Sequence, residues 1–575
     1  MRRTNRKRLA MQALACCAAF AGWTASAQEP AYSDARAQEL IQVHCTRCHA
    51  TPNPVELPKE YWPLALHWMS HYAGYKGDEF PDIHCVKLPR EQQLFGDYAN
   101  LYTVSDSAGR TKYEQIFSAF ELKLDQPPLS PADWAVLRQY FVARAAPMNT
   151  MWIKRDKQPL LQKFTAKYPQ LGLPPNSLIL SALVDERRGR LYVGKNDTQL
   201  LTQGGHGGGS VIAYDLKTEK EIASIPVLTD TRDMELTPTG LRISLHGTHP
   251  VIAKDPKGQV IDWELDGKRS QVRMLANGFS RITQMHTQDM NGDGLQDVVV
   301  TGFGDGMLTV GGGRFSILWQ TPEYARVYAN APAEIPQGPL PGAFKETVLM
   351  DRAGMIGTAI ADFNADGRPD ILLLTAQAQQ QVILYVNQGN GQFEQRVLME
   401  HGPSYGHVTL DVGDFNNDGR PDFLIVNGNN VEMVVPRPHH GLRLYQNNGN
   451  LTFSERYYYP MHGATRAALA DFDRDGDLDI AAIALWPDWQ LSEPETFVYL
   501  ENKGDWQFTP ASLDTSHWGL WTHITAGDVN GDKRPDIVLG LGNFREFVAP
   551  DWANHPIMKS RKGEAQSVLY LLNKN

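Results

Sequence analysis

The sequence predicts a multidomain protein in which a small all-α domain precedes a much larger all-β domain. Three observations support this division. Apolar side chains recur at helical spacing before residue 152, an acidic loop recurs five times after residue 280, and Asn-Gly-type hairpin turns follow several of the loops. A chain of 575 residues is also too long for one ordinary core. We therefore predict three segments, at residues 1–27, 28–152 and 153–575.

Composition and charge exclude several broad classes of protein. The hydrophobic share of 42% and the charged share of 21% are typical of a folded, water-soluble chain, so a largely disordered or multi-span membrane protein is excluded. The net charge is -10, and no basic stripe follows the first eight residues. Nucleic-acid binders carry the opposite charge balance, so we expect no nucleic-acid partner.

The first 27 residues have the pattern of an export signal. A basic start is followed by an apolar run over residues 9–23 and by the small residues Ala25, Ser26 and Ala27. The apolar run is too short to span a membrane. We predict cleavage after Ala27, a periplasmic location and no integral membrane span in the mature chain. A lipid anchor at Cys16 is the alternative interpretation.

Three cysteines remain after cleavage, too few for a disulfide framework. Cys45, Cys48 and His49 form the Cys-x-x-Cys-His signature of covalent haem attachment. Two thiols at this spacing can each bond one vinyl group of the macrocycle, and the next residue then places its imidazole on the iron. The alternatives are a zinc half-site, which needs a second ligand pair, and a redox pair, which needs a βαβ unit. We predict one covalently bound haem c.

Helical patterns surround this signature. We predict helices over residues 33–44, 59–72, 113–122 and 131–143, and the last begins with an N-capping Ser130 and with Pro131 in its first turn. With the attachment signature, residues 28–152 resemble a class I c-type cytochrome domain. The resemblance implies that the last helix closes over the haem edge.

The resemblance also implies a sixth iron ligand. Met69 lies on the helix predicted after the attachment signature, as the ligand does in cytochromes whose Trp-bearing helix presents a Met to the iron. His67, His71, His84 and Met148 are the competing residues. The remaining Cys85 is interpreted as a buried bystander thiol.

A nine-residue acidic loop recurs five times after residue 280. Its copies begin at Asp289, Asp362, Asp414, Asp471 and Asp528, and side-chain oxygens occupy positions 1, 3, 5 and 9. Oxygen-rich loops of this kind suit Ca²⁺. The predicted ligands are Asp289, Asn291, Asp293, Asp297, Asp362, Asn364, Asp366, Asp370, Asp414, Asn416, Asp418, Asp422, Asp471, Asp473, Asp475, Asp479, Asp528, Asn530, Asp532 and Asp536. Four copies have Gly at position 6 and the fifth has Lys533, so we expect four to five ions.

The loops start 52 to 73 residues apart, and each unit reads as four strands. A repeated four-stranded unit of this length is typical of β-propeller blades. Residues 280–575 resemble the FG-GAP or VCBS repeats of integrin α-subunit propellers. Length predicts two further blades within residues 176–280, giving seven, with eight as the alternative. We expect residues 567–573 to pair with a strand near residues 160–164 and so to close the ring.

No catalytic constellation is recognisable, so catalytic residues are not assigned. Alignment of the segments before the loops places Gln284, Arg466 and His523 at one equivalent position, with His407 and Trp521 two residues earlier in their blades. Inner strands of propellers converge on the axis, where ligands often bind. The sequence therefore predicts a polar funnel there.

We predict an exported c-type haem protein that performs electron transfer. Its Ca²⁺-stabilised propeller would bind a redox partner protein or a small-molecule reductant. One alternative is a periplasmic oxidoreductase whose propeller holds the substrate site, with haem c as the internal electron acceptor. A second alternative is an adhesion or binding module, in which the haem would have no obvious role.

Overall fold

The computed structural model divides the chain into two compact units, Met1–Arg47 with Thr51–Met151, and Cys48–Ala50 with Trp152–Asn575. It describes residues 33–46, 50–63, 65–66, 69, 129–147, 150, 157–174, 177–196, 209–247, 258–266, 269–304, 312–330, 338–376, 379–429, 437–488, 491, 493–542 and 566–574. The predicted signal segment, residues 1–27, lies outside these residues.

In the first unit, the described elements are helix α1 (Asp34–His44), a 3₁₀ turn (Pro54–Glu56) and helix α2 (Pro131–Arg144). Ser33 and Ser130 begin the two helices as N-caps, because their hydroxyl oxygens accept backbone N–H groups of the first turn. Both helices start within one residue of the predicted positions. The helix predicted over residues 113–122 lies outside the described residues.

Helices α1 and α2 pack against each other. Arg36 on α1 donates to Asp133 on α2, with Nη2 and Oδ1 2.7 Å apart. The ring of Trp62 stacks on that of Phe141 at a centroid distance of 4.2 Å, and its indole N–H donates to the carbonyl of Pro54. These contacts give the unit a small apolar core around the buried Trp62 and Phe141.

The second unit is a seven-bladed β-propeller of four-stranded antiparallel sheets. Blade 1 contains β2 (Leu178–Asp185), β3 (Arg190–Asn196), β4 (Gly209–Asp215) and β5 (Glu221–Val227). Blade 2 contains β6 (Thr231–Leu236), β7 (Gly240–Leu245), β8 (Gly258–Asp266) and β9 (Arg269–Phe279). Blade 3 contains β10 (Ile282–Gln288), β11 (Asp297–Gly302), β12 (Arg314–Gln320) and β13 (Phe344–Met350), with helix α3 (Tyr324–Ala329) before β13.

The remaining blades follow the same order. Blade 4 contains β14 (Met355–Ala361), β15 (Asp370–Thr375), β16 (Gln380–Gly389) and β17 (Gln392–His401). Blade 5 contains β18 (His407–Gly413), β19 (Asp422–Asn427), β20 (Gly441–Asn447) and β21 (Phe453–Pro460). Blade 6 contains β22 (Ala464–Ala470), β23 (Asp479–Ala484), β24 (Phe497–Asn502) and β25 (Phe508–Ala511). Blade 7 contains β26 (Trp521–Gly527), β27 (Asp536–Leu541), β28 (Val568–Asn573) and β1 (Phe164–Lys167), and a 3₁₀ turn (Thr515–His517) precedes it.

The core of the propeller lies between adjacent blades. Every residue of the second strands β11, β15, β19, β23 and β27 is buried, whereas the outermost strand β17 is largely exposed. A strand that is apolar on both faces must be covered on both faces, and in a ring each blade covers its neighbours. One such cluster joins Phe415 and Leu424 of blade 5 to Ile480 and Leu500 of blade 6.

The prediction of two early blades is confirmed, because blades 1 and 2 span residues 178–279 and the ring has seven blades rather than eight. Ring closure is also confirmed. Strand β1 pairs antiparallel with β28 in register from Phe164 and Asn573 to Lys167 and Tyr570. The closing strand starts later than predicted because the buried Phe164 packs on Phe472, whereas Leu160 pairs with blade 6. Closure removes two open sheet edges.

Each innermost strand carries a register shift, at its third residue in blade 1 and at its second residue in blades 2–7. The residues that follow the shift form the first channel ring, which consists of Ser181, Asp233, Gln284, Gly357, Thr409, Arg466 and His523. Because alternate residues of a strand share a face, the residues two positions on form the second channel ring. Its members are Leu183, Glu235, His286, Ala359, Asp411, Ala468 and Thr525.

Among the described residues, no helix is long and apolar enough to cross a membrane.

Candidate metal loops and central channel

All five acidic loops connect an innermost strand to the second strand of blades 3–7, and their backbones have one shape. The residue at position 6 has a positive φ in every copy, from 80° to 97° at the four glycines and 65° at Lys533. Its N–H donates to the position-1 aspartate in each loop, at 2.6–3.0 Å. The fifth loop therefore keeps the glycine conformation at a position where a lysine is strained.

The position-9 aspartates begin the second strands and are fully buried. One carboxylate oxygen accepts the N–H of loop position 2 at 3.0–3.1 Å, and the other accepts an N–H near the end of the third strand at 2.7–2.9 Å. Burial, together with neighbouring loop carboxylates, raises the pKa of Asp370, Asp422, Asp479 and Asp536 to about 6. These residues close the loop and still present carboxylate oxygens beside positions 1 and 5.

The fourth loop has the strongest donor set for a cation. Asp471, Asp473 and Asp475 present carboxylate oxygens within 4.8 Å of one another. Oδ1 of Asp471 is buried and has no hydrogen-bond partner among the described residues. An unpartnered, buried carboxylate oxygen facing other carboxylates is costly unless a cation balances it. The residues of this loop therefore fit a hard divalent cation such as Ca²⁺.

The other loops bring their predicted ligands together with more internal neutralisation. The position-3 asparagine donates its amide to the position-5 aspartate at 2.9–3.1 Å in the first three loops. Arginines at position 7 also donate to the position-5 carboxylate, in the pairs Arg368–Asp366, Arg420–Asp418 and Arg534–Asp532. A cation in the loops with these arginines competes with a guanidinium for the position-5 carboxylate. The fourth loop has Asp477 at position 7, and there a cation would share Asp473 with Lys163, whose Nζ lies 2.8 Å from Oδ2.

A buried asparagine ties each of four loops to the next blade, a feature that sequence reasoning missed. These asparagines lie at or within two residues of the end of a third strand and donate their side-chain amide to the position-2 carbonyl of the preceding loop, at 2.6–3.0 Å; they are Asn387, Asn447, Asn502 and Asn573. The backbone N–H of the same asparagine donates to the position-9 aspartate of its own blade. The recurrence of Asn at the end of these strands was the available signal.

The predicted haem ligands are described only in part. Cys45 follows α1 directly, and its backbone N–H donates to the carbonyl of Ile41 at 2.8 Å. Met69 has helical backbone geometry and is partly buried. Cys48 and His49 lie outside the described residues, as do the competing ligands His67, His71, His84 and Met148 and the thiol Cys85.

The first channel ring contains the three residues of the predicted funnel at equivalent positions. Two of them link neighbouring innermost strands: Gln284 Oε1 accepts the N–H of Thr358 at 2.8 Å, and His523 Nε2 lies 2.9 Å from the carbonyl oxygen of Ala182. Burial and the charge of Arg466 lower the pKa of His523 to about 3. Gln284 and His523 therefore stabilise the channel wall, and Arg466 is the remaining funnel residue.

Sequence reasoning missed the acidic groups of the channel. Asp233 Oδ2 accepts the N–H of Met285 at 3.2 Å, and Glu235 Oε1 accepts that of Thr287 at 3.3 Å. Glu235 Oε1 also lies 3.6 Å from Nδ1 of His286. Burial disfavours the charged imidazole, but the interaction with Glu235 outweighs it and raises the pKa of His286. These acids are held by backbone N–H groups of the neighbouring strand.

Three further charged side chains reach the channel from blades 2, 5 and 6, namely Arg232, Asp411 and Arg466. None of them makes a side-chain hydrogen bond or ion pair to another residue in the part of the chain that the structure describes, and Nε of Arg232 is buried without a partner. Burial and the charge of Arg466 lower the pKa of Arg232 to about 10. Burial lowers the pKa of Arg466 and raises that of Asp411 to about 6.

A stack of aromatic rings lies at the junction of blades 4 and 5. Tyr405 is sandwiched between His401 and His439 at centroid distances of 4.1 and 4.0 Å. His407 Nδ1 lies 2.8 Å from the carbonyl oxygen of Thr375, and its Nε2 lies 2.9 Å from His401 Nδ1. Because a carbonyl oxygen only accepts, Nδ1 of His407 carries the proton and Nε2 accepts from His401. Burial lowers the pKa of both histidines, so both rings are neutral at pH 7.

Comparison with known proteins identifies the repeat. The profile of the FG-GAP-like repeat matches residues 362–425 and 429–482, which cover most of blades 4 and 5 and part of blade 6. The second unit is a seven-bladed β-propeller, and it carries FG-GAP-like repeats. No curated protein matches it significantly.

Several solved structures are similar to this chain at low identity. A complex of BBS1N with ARL6DN is 9% identical, with a TM-score of 0.40, over 73% of this chain and 99% of that one. Sqt1 of Saccharomyces cerevisiae is 8% identical, with a TM-score of 0.39, over 73% and 100%. The periplasmic gluconolactonase of Pseudomonas aeruginosa is 14% identical, with a TM-score of 0.35, over 58% and 86%. Similarities of this extent carry no inference about function.

Proposed function

We propose that this is an exported electron-transfer protein with one covalent haem c bound by the sequence segment 28–152 and a Ca²⁺-stabilised propeller that binds a redox partner or a small-molecule reductant. The observation that carries the proposal is the sequence Cys45-x-x-Cys48-His49, which begins where helix α1 ends. A bound haem would supply reversible one-electron transfer.

The residues around the attachment signature support this assignment. Cys45 is placed by the capping hydrogen bond at the end of α1, so its position is fixed by a helix that packs on α2. In the proposal Cys45 and Cys48 hold the macrocycle, His49 is an axial ligand and Met69 is the second. A Met ligand opposite His raises the reduction potential, as suits an electron carrier.

The calcium part of the proposal rests on the acidic loops. The unpartnered oxygen of Asp471 and its two neighbouring carboxylates support a bound cation in the fourth loop, and the shared backbone shape extends this to the others. The cation's role in the proposal is to stabilise the blades, because the loops lie at strand ends and no nucleophile or general base was recognised beside them.

Absorption spectroscopy of the purified protein tests the haem assignment. We expect a reduced-minus-oxidised spectrum of a c-type cytochrome, with haem that stays attached under denaturing conditions. The double variant Cys45→Ser/Cys48→Ser should lose the attached haem, and the matched control Cys85→Ser should keep it. A colourless protein, or covalent haem in the double variant, would overturn the assignment.

The same material tests export and axial ligation. A mature chain that begins at Gln28, read by N-terminal sequencing, is expected from the proposed cleavage after Ala27 and the periplasmic location. Met69→Ala should change the visible spectrum and lower the reduction potential. An unchanged potential would assign the sixth position to another residue.

The charged channel favours a second candidate, an oxidoreductase whose propeller holds the substrate and passes electrons to haem c. Arg232 and Arg466 are free to bind a ligand, unlike Gln284 and His523. Reduction of the haem by a small molecule in the absence of a partner protein would support the enzyme, whereas reduction only by a partner protein would support the carrier. The adhesion module is the third possibility and gives the haem no role.

A further inference from the structure

The central channel contains three charged side chains that come from distant parts of the chain and have no partner. Arg232, Asp411 and Arg466 belong to the innermost strands of blades 2, 5 and 6, and within the described residues none of their side chains is hydrogen-bonded or ion-paired. The ring residues Asp233, Glu235, Gln284 and His523 are engaged in hydrogen bonds between blades. These bonds of the channel wall do not involve the three charged side chains.

Unpartnered charges in a site screened from bulk water destabilise a fold, so their presence calls for a role outside folding. At all three groups burial outweighs the attraction of the neighbouring opposite charges, since the pKa values of the two arginines are lowered and that of Asp411 is raised. A ligand that brings an acceptor to the guanidinium groups and a donor to the carboxylate would relieve all three penalties.

The chemistry of the channel selects the class of ligand. Guanidinium groups bind carboxylates and phosphates through paired N–H donors. The channel also contains the carboxylates of Asp233, Glu235 and Asp411, which repel a doubly charged phosphate more than a monoanionic carboxylate. A hydroxyl group can donate to Asp411, whereas a plain anion cannot.

We propose that the channel binds a small hydroxylated carboxylate. Arg232 and Arg466 hold its carboxylate, and one of its hydroxyl groups donates a hydrogen bond to Asp411. This site goes beyond the proposed electron-transfer function, because it requires neither the haem nor the calcium loops. It would give the propeller a small-molecule ligand of defined chemistry.

Isothermal titration calorimetry on the purified full chain tests the site, with gluconate and lactate as probes. We expect at least one of them to bind, with acetate, glucose and inorganic phosphate each weaker by about tenfold or more. Arg232→Gln and Arg466→Gln should each weaken binding of the hydroxy acid about tenfold or more, and Arg232→Lys should weaken it less than Arg232→Gln. Asp411→Asn should reduce the preference for the hydroxy acid over acetate.

Arg396→Gln is the matched control, because Arg396 is an exposed arginine on the outermost strand β17, and it should leave binding unchanged. Melting temperatures of Arg232→Gln, Arg466→Gln and Asp411→Asn should equal or exceed that of the wild type, since each of these substitutions removes an unpaired charge. The double variant Cys45→Ser/Cys48→Ser should bind the probes as the wild type does, which separates this site from the haem proposal. No binding of either hydroxy acid at about 10 mM, equal binding of phosphate, or wild-type affinity in Arg232→Gln/Arg466→Gln would overturn the inference.

Discussion

Blades 1 and 2 have the same four-stranded sheets and inner register shifts as blades 3–7, yet they lack the acidic loop. At the corresponding turn of blade 1, the fully buried Asp185 accepts the backbone N–H of Arg188 and forms an ion pair with its guanidinium at 2.6 Å. The same arginine donates to carbonyls of Thr237 and Pro238 in blade 2. In blade 1 the guanidinium of Arg188 thus balances one buried carboxylate, whereas the corresponding loops of blades 3–7 contain several carboxylates.

In blade 2 a buried carboxylate is also balanced by an arginine, and both residues lie on strands of its sheet. Arg242 and Asp262 form a buried bidentate pair, and Arg242 also donates to Thr287 of blade 3. The comparison shows that a blade can form from apolar strands and the inner register shift without an acidic loop. The acidic loop is a local addition, so a metal ion should affect blades 3–7 selectively.

Of the changes considered, calcium removal should lower the free energy of unfolding the most, and it should act on the acidic loops rather than on blades 1 and 2. Chelation is expected to cost about 2–4 kcal/mol for each loop that was saturated, because a ligand bound only to the folded state stabilises it by mass action. Hydrogen exchange should rise in residues 289–297, 362–370, 414–422 and 471–479 and stay constant in the turn at residues 186–189. A melting temperature and an exchange pattern unaffected by chelation would contradict a structural role for calcium.

Loss of an inter-blade asparagine should have the next largest effect. Asn502→Leu removes the amide that donates to the carbonyls of Phe415 and Leu478, and leaves buried backbone groups without partners. We expect the free energy of unfolding to fall by about 3 kcal/mol in denaturant titrations. The control Asn448→Ala, at an exposed asparagine next to a buried one, should change it by less than about 0.5 kcal/mol. Equal effects at the two sites would show that the hydrogen bonds of Asn502 between the blades do not contribute to stability.

The side-chain cation of blade 1 should contribute somewhat less. Arg188→Met leaves the carboxylate of Asp185 buried without its ion pair, and we expect a loss of about 2 kcal/mol that does not depend on calcium. Adding Asp185→Leu should restore part of the loss, because the buried charge is then removed as well. The free energies of unfolding of the two variants are measured by chemical denaturation with and without chelator. A loss that depends on calcium would contradict the proposed difference between blade 1 and blades 3–7.

Replacement of the strained lysine should have the smallest effect. Lys533→Gly restores glycine at a position with a φ of 65°, and we expect stabilisation of about 0.5–1 kcal/mol. Calcium affinity of the fifth loop should rise or stay constant, measured by calorimetry. The control Gly476→Lys, in the fourth loop, should destabilise by a similar amount, and the same sign in both variants would exclude backbone strain as the cause.

The parts that were predicted correctly are those that repeat. Loops of fixed length marked the inner strands of blades 3–7, the remaining chain length predicted the two early blades, and the C-terminal strand at residues 567–573 predicted ring closure. Of the unpartnered channel charges, only Arg466 was predicted. Arg232 was missed because blade 2 has no acidic loop to mark where its inner strand lies, and Asp411 was missed because it lies two residues beyond the position at which the blades were compared. Arg232 and Arg466 are also 234 positions apart, and only the ring brings them into one channel. The asparagine ties were missed because the carbonyl each one binds belongs to another blade.

The pairing of Phe164 with Asn573 joins residues that are 409 positions apart. Strand β1 therefore emerges from the ribosome early and has no partner until β28 has been made. In the interval its four residues must neither aggregate nor pair with another sheet, and its short length limits both hazards. The propeller can therefore close only after its last strand has been synthesised. A nascent chain that stops before that strand would leave blade 7 incomplete.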